Sequence, residues 1–339
     1  MKNYIKPRAL KRGDTIAIVS PSSDIVRFSE RTQRAIGFLE RKGYKVKMMP
    51  SALATDGYSG GTAEQRAADI HDAFLDSEVS AIVCSTGGLT ANAVLSLLDY
   101  ELIRRNPKIF CGYSDITTLL LMITSKSELV TFHGPTLLPS FGEFEGAVSF
   151  TFEHFEKIVS GQAGCGDTFP FSKMYTIDNQ YWGRDDTKNL IMQESPAMKS
   201  FGPKMETEGL LFGGNLQTFS MLMHEDGFFD VTGAILFLEE EGLSTDWYER
   251  YLIELERKGI FSKINGLIFA KPSGSFEEIN EKKRSLESIF LEISKKYNIP
   301  TLTNVDCGHT KPILTFPLGV VVKLDTRSNI ISLGECAVN

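Results

Sequence analysis

Short apolar runs alternate with helical stretches through the first half of the chain, and that alternation narrows the fold more than any other feature. Thr15 to Ser20 reads as a buried strand with Pro21-Ser22-Ser23-Asp24 as the turn after it. From Phe28 to Lys42 the residues Ala35, Ile36, Phe38 and Leu39 fall on one helical face, and Gly43 follows where a helix-ending glycine is expected. Tyr44 to Met49 alternates like a strand. Thr62 to Leu75 reads as a helix with a capping box between Thr62 and Gln65. Ala81 to Ser85 and Ile109 to Tyr113 are further strands, with a helix over Ala91 to Leu98 between them. Continuous apolar strands joined by helices imply a parallel sheet covered on both faces. Ligands then belong at the carboxyl ends of its strands.

The regularity weakens from Gly142 to Glu206, a stretch read as a connector and a long loop around Gln180-Tyr181-Trp182-Gly183-Arg184-Asp185-Asp186. Loops of that length in compact domains usually carry function or are disordered, and the embedded Tyr181 and Trp182 favour an ordered one. Apolar strands resume at Leu210 to Phe212, Ala234 to Leu238, Gly266 to Ala270 and Val320 to Leu324. Glu277 to Tyr297 reads as a charged amphipathic helix closed by Pro300. The expected architecture is α/β throughout. A flavodoxin-like, doubly wound parallel-sheet domain spans 1–150, a connector and substrate loop 151–206, and a mixed α/β domain 207–339.

A formal charge of −7 without clustered Lys and Arg argues against a nucleic-acid polymer as partner. The five cysteines are scattered and form no CxxC pair, so neither a disulfide framework nor a zinc site is expected. The basic start reaches its apolar segment too briefly for a signal peptide, and no apolar run is long enough to span a membrane. A reduced, cytoplasmic protein is expected. The turn Ser20-Pro21-Ser22-Ser23 lacks the glycine fingerprint of a dinucleotide site, and nothing calls for a metal or cofactor.

Chemistry concentrates in a few places. In Cys111-Gly112-Tyr113-Ser114-Asp115 a strand ends and an apolar helix begins, which offers the Ser114 hydroxyl together with unpaired amides. The plainer reading makes Ser114 or Asp115 a helix cap. Gly87 and Gly88, directly after a strand, let the backbone approach a ligand, and an amide there with that of Asp115 would make an oxyanion hole; a tight turn explains them equally. A serine needs a base. Of the five histidines, His71 and His154 lie in helical stretches (the latter read as a surface helix) and His224 reads as a solvated helix end. His133 follows a strand and is placed to face the site, and His309 sits in a loop before the last strands. Glu239, Glu240 and Glu241 end a strand, with Glu239 held best.

These segments, in order, resemble one family. The SPSS turn, GGTAEQRAADIHDAF, STGGLTAN, CGYSDITTLL, TFHGP, LFGGNLQTF, LFLEE and GHTKPILTFPLG together resemble the LD-carboxypeptidases, serine peptidases with a Ser-Glu-His triad. The resemblance implies Ser114 as nucleophile, Glu239 orienting the histidine and His309 as base. It also implies a homodimer and an active site at the interface of the two domains. The triad assignment passes to Glu240 if the alignment slips by one residue. Within the family, the wording around His309 and the loop bearing Trp182 look closest to the microcin C self-immunity branch. That likeness implies a peptidyl- or aminoacyl-nucleotide substrate, with Trp182 stacking on the base and Asn215 lining the site. Trp182 packed on the domain surface, and Asn215 as a turn residue, are the structural alternatives. A murein tetrapeptide is the competing substrate, and a non-catalytic binding module the competing class.

Overall fold

The computed structural model describes residues 2–144, 148–177, 186–228, 230–273 and 284–339. Its first half builds strands β1 (Thr15–Val19), β2 (Lys45–Met48), β3 (Val79–Cys84), β4 (Ile109–Gly112) and β5 (Thr131–His133). Helices α1 (Ser29–Arg41), α2 (Ala63–Leu75), α3 (Tyr100–Arg105) and α4 (Thr117–Ser127) connect them. The five strands are parallel in the order β2-β1-β3-β4-β5. The strand order reverses direction at β1, where a doubly wound sheet opens a crevice between its carboxyl ends.

Local sequence explains these elements. The capping box expected at Thr62 and Gln65 is formed in both directions, and Gly43 takes φ +94° immediately after α1. One expected helix differs. Ala91–Leu97 forms tight 3₁₀ turns, because Asp99 caps the next helix by accepting from the Leu102 amide and leaves only a short segment before it.

The second half contributes α5 (Ser149–Val159), β6 (Met174–Tyr175), β7 (Gln193–Glu194), β8 (Lys199–Phe201), β9 (Glu206–Asn215) and α6 (Leu216–Leu222). It continues with β10 (Ile235–Glu239), α7 (Thr245–Arg257), β11 (Gly266–Ala270), α8 (Leu286–Tyr297), β12 (Thr301–Val305), β13 (Phe316–Leu318), β14 (Val321–Asp325) and β15 (Ile330–Leu333). A mixed sheet runs β15-β14-β9-β10-β11-β12-β8, parallel from β9 to β12 and antiparallel at both flanks. Strand β13 instead crosses to the first sheet and pairs antiparallel with β5, Phe316 opposite His133. The late chain is thereby stitched to the early chain beside the histidine loop.

Two helix readings change. Helix α8 starts at Leu286, where the Ser285 side chain caps the Ser288 amide, rather than at Glu277; residues 277–283 lie outside the described residues. His154 is buried, not on a surface helix, since its Nδ1 accepts from the Thr315 amide under the incoming chain.

Candidate active site

The turn bearing Ser114 is a strained piece of backbone. Ser114 adopts φ 65°, a left-handed conformation that costs a non-glycine residue about 1–3 kcal/mol. The turn is sharp because Ile116 folds back onto Gly112, where a Cβ would sit only 2.7 Å from the Ile116 side chain. Beyond it α4 is almost wholly buried, so the turn rests on a rigid base. Gly87 lies against Ser114: a Cβ there would meet Ser114 Cβ at 2.8 Å and Oγ at 3.0 Å.

The loops after β1, β3 and β4 lock together around that turn. The Ser23 amide donates to the Gly87 carbonyl at 3.1 Å, and Ser22 Oγ donates to Asp115 Oδ2 at 2.6 Å. Asp115 Oδ2 also accepts from the Ala91 amide at 2.8 Å. Gly88 sits at φ +148° with both Ser22 and Ser23 where its Cβ would be. The SPSS turn therefore fixes the glycine pair and the Asp115 side chain at once.

His309 arrives from the other half of the chain. Its Nδ1 is 2.5 Å from Glu239 Oε2, at the end of β10. Gly308 permits this approach, since a Cβ there would lie 3.2 Å from that same oxygen. The imidazole packs on the Tyr113 ring at 4.9 Å between centroids, which sets it beside the residue preceding the serine. Glu239, and not Glu240, is the carboxylate that reaches the histidine. Glu240 instead caps α6, accepting from Asn215 Nδ2 at 2.8 Å and from the Gln217 amide at 2.9 Å. Burial pushes the His309 imidazolium down. The contacts with Glu239, and the charges of Glu241 and Glu240, outweigh that and push its pKa up to about 9. Burial, with the charge of Glu239 second, raises the Glu240 carboxyl above the ordinary range.

Ser114, Gly88, Asp115, Asn215, Glu240 and Glu241 share one cleft of about 340 Å³. Glu241 joins its two sides, since its Oε2 lies 3.5 Å from His309 Nε2. Asn215 is both a cleft residue and the N-cap of α6. Trp182 lies outside the described residues.

Some participants carried little sequence signal. His133 places Nε2 2.8 Å from the Cys307 carbonyl and so braces the histidine loop from beneath; its position after a strand was the only hint. Lys311, two residues beyond His309, pairs with buried Glu143 at 2.5 Å, which also pairs with buried Arg31. Those partners are far apart in the chain, and no local pattern links them.

The LD-carboxypeptidase N-terminal domain matches residues 16–134, and the LD-carboxypeptidase C-terminal domain matches residues 208–324. The chain belongs to the LD-carboxypeptidase family. The microcin C7 self-immunity protein MccF of Escherichia coli is 34% identical over 328 residues, covering 95% of this chain and 94% of that protein. A probable murein peptide carboxypeptidase of Bacillus subtilis is 30% identical, covering 98% of this chain and 95% of that one. The solved structure of MccF in complex with aspartyl sulfamoyl adenosine superposes with a TM-score of 0.92 at 32% identity, covering 99% and 100% of the two chains. This LD-carboxypeptidase is thus a serine-type hydrolase with the two-domain α/β fold of MccF. Among its described residues no helix is long and apolar enough to cross a membrane.

Proposed function

We propose that the protein hydrolyses an amide near the carboxyl end of a small peptide or an aminoacyl-nucleotide through Ser114, His309 and Glu239. The observation that carries this reading is that a carboxylate-bound histidine from the second half of the chain packs on Tyr113, the residue directly before a strained serine turn of the first half. In this mechanism neutral His309 takes the Ser114 proton at Nε2 and Ser114 Oγ attacks the amide carbon. The developing oxyanion is received by the amides of Gly88 and Asp115. His309 then protonates the leaving nitrogen as the C–N bond breaks, and later activates the water that cleaves the acyl ester. Glu239 holds Nδ1 and stabilises the imidazolium without accepting its proton.

The aminoacyl-nucleotide reading draws support from the MccF complex with aspartyl sulfamoyl adenosine, and assigns base stacking to Trp182 and substrate contact to Asn215 and Gly87. The murein-peptide reading draws support from the Bacillus subtilis relative. A cytoplasmic homodimer, with domains at 1–150 and 207–339 joined by 151–206, completes the proposal. The separation into two sheets supports two domains, although β8 of the connector joins the second sheet and β13 joins the first.

The test is hydrolysis of an LD-linked murein tetrapeptide and of aspartyl sulfamoyl adenosine, with Ser114→Ala beside the wild type. Cleavage of the adenosine conjugate alone, abolished by the variant, is the expected result. Cleavage of murein peptide alone moves the substrate to the cell wall. Activity that survives Ser114→Ala sinks the triad.

A further inference from the structure

Strands β9 to β12 run parallel and end side by side at Asn215, Glu239, Ala270 and Val305. The first two ends supply the cleft and the carboxylate that meets His309. The other two are followed by a pair that the proposed mechanism does not use. Lys271, directly after β11, and Asp306, directly after β12, form an ion pair whose side chains are 0% and 1% exposed. Burying two charges is costly, and an apolar pair of similar volume often serves stability as well or better. What an apolar pair lacks is direction.

The direction here is imposed on the loop that carries His309. The Asp306 carboxylate accepts from Lys271 Nζ and, through Oδ2, from the Ser172 amide at 3.1 Å. The Asp306 carbonyl accepts from the Leu314 amide at 2.6 Å, which ties the two ends of that loop together. Lys271 is itself held on several sides. Its amide donates to the Val305 carbonyl at 2.9 Å, its Nζ donates to Ser195 Oγ at 3.0 Å, and the Phe171 ring lies 4.7 Å from the ammonium. Burial pushes the Lys271 ammonium down and the Asp306 carboxyl up, and in each case the partner's charge opposes that drift.

Only Cys307 and Gly308 separate Asp306 from His309. The Cys307 carbonyl is taken by His133, and Gly308 packs against Glu239, so the short stretch has little slack. We propose that the Lys271–Asp306 pair positions the base: held by Lys271 and the Ser172 amide, the Asp306 carboxylate sets the angle at which the chain leaves β12 and thereby seats His309 Nδ1 on Glu239. This rests on the triad reading above and adds two positioning residues to it. Neither touches the reacting atoms; both act through the imidazole.

The experiment compares wild type with Lys271→Met and with the double variant Lys271→Met/Asp306→Leu on the murein tetrapeptide and aspartyl sulfamoyl adenosine. Lys271→Met leaves a buried carboxylate without its cation, and should lower both the melting temperature and kcat. The double variant removes both charges and should regain melting temperature relative to Lys271→Met, yet keep kcat at least about 10-fold below wild type with KM within about 3-fold. The charges bearing on His309 are those of Glu239, then Glu241 and Glu240, and they raise its pKa to about 9 against burial. Removing an adjacent positive and negative charge together changes that field little, so the His309 titration followed by NMR reports on the seat at Glu239. It should fall by about one unit in the double variant. Should the double variant not fold, Asp306→Asn, which keeps the volume and an oxygen for the Ser172 amide, is held to the same two readouts. A kcat within about 3-fold of wild type, or an unchanged His309 titration, makes the pair structural only and overturns the proposal. If wild type cleaves neither substrate the proposed activity falls, while the titration still decides whether the pair seats His309.

Discussion

The two halves of the site are built by opposite means. Ser114 is placed by its own neighbourhood: a positive φ, Gly112 beneath Ile116, Gly87 against the hydroxyl, and a buried helix directly behind. His309 is placed by partners distant in sequence: Glu239 on one nitrogen, Glu241 on the other, Tyr113 on the ring face and His133 under the preceding carbonyl. Backbone strain and close packing hold one side. Neighbouring carboxylate charges make the other side sensitive to protonation.

The comparison breaks at once if the two sides are not one machine. Ser114→Ala and His309→Ala should each lower kcat by about 10⁴-fold or more, and the double variant should lose little beyond either single one. Additive losses would mean that the residues act apart. On the charge side, Glu239→Gln should cost roughly 10³–10⁴-fold in kcat by leaving the wrong face of the imidazole protonated. Glu240→Gln should cost far less, because its oxygens serve α6; the reverse order would show that the histidine is oriented by Glu240.

On the backbone side, Gly87→Ala brings a Cβ to 2.8 Å from Ser114 Cβ. Displacing Ser114 by even a fraction of an ångström should lower kcat by about 100-fold, with a lower melting temperature and with any rise in KM much smaller than the loss in kcat. A KM effect alone would place Gly87 in substrate binding only.

The pH dependence sharpens the contrast. The folded-state pKa of His309 is raised to about 9 against an ordinary value of 6.5. Its contribution to stability is thus fully present below about pH 6.5 and fades as pH rises through about 9. Buried His154 runs the other way. Burial, with the charge of Lys157 second, lowers it to about 3, so its contribution holds above about pH 6.5 and fades as pH falls towards 3. Melting curves of wild type and His309→Gln should accordingly converge between pH 6.5 and 9. Curves that stay parallel would remove the charge account of the base.

The smallest effect is the most local. Ser114→Gly should be about 1 kcal/mol more stable than Ser114→Ala, because only glycine relieves a φ of 65°. Equal denaturation midpoints would mean that the turn stores no strain.

How much of this was legible beforehand follows the same division. The strands TIAIV and IFCG, the capping box at Thr62 and the turn at Ser114 rest on spacing within a few residues, and the sequence reading placed them within a residue or two. Periodicity overreached where a neighbouring cap intervened, as at Ala91–Leu97, where Asp99 claims the next helix, and at Ser285, which starts α8 late. His154 looked like a surface residue because its covering partner, Thr315, is 161 positions away. Glu239 and Glu240 are adjacent letters of one acidic run, and only the register of β10 against β9 and the arrival of Gly308 decide which carboxylate meets the histidine. Elements and turns follow from chain-local sterics and hydrogen bonding, so the sequence carries them openly. The partners of His309 depend on which distant surfaces pack together, and that is decided only when both sheets close around the cleft.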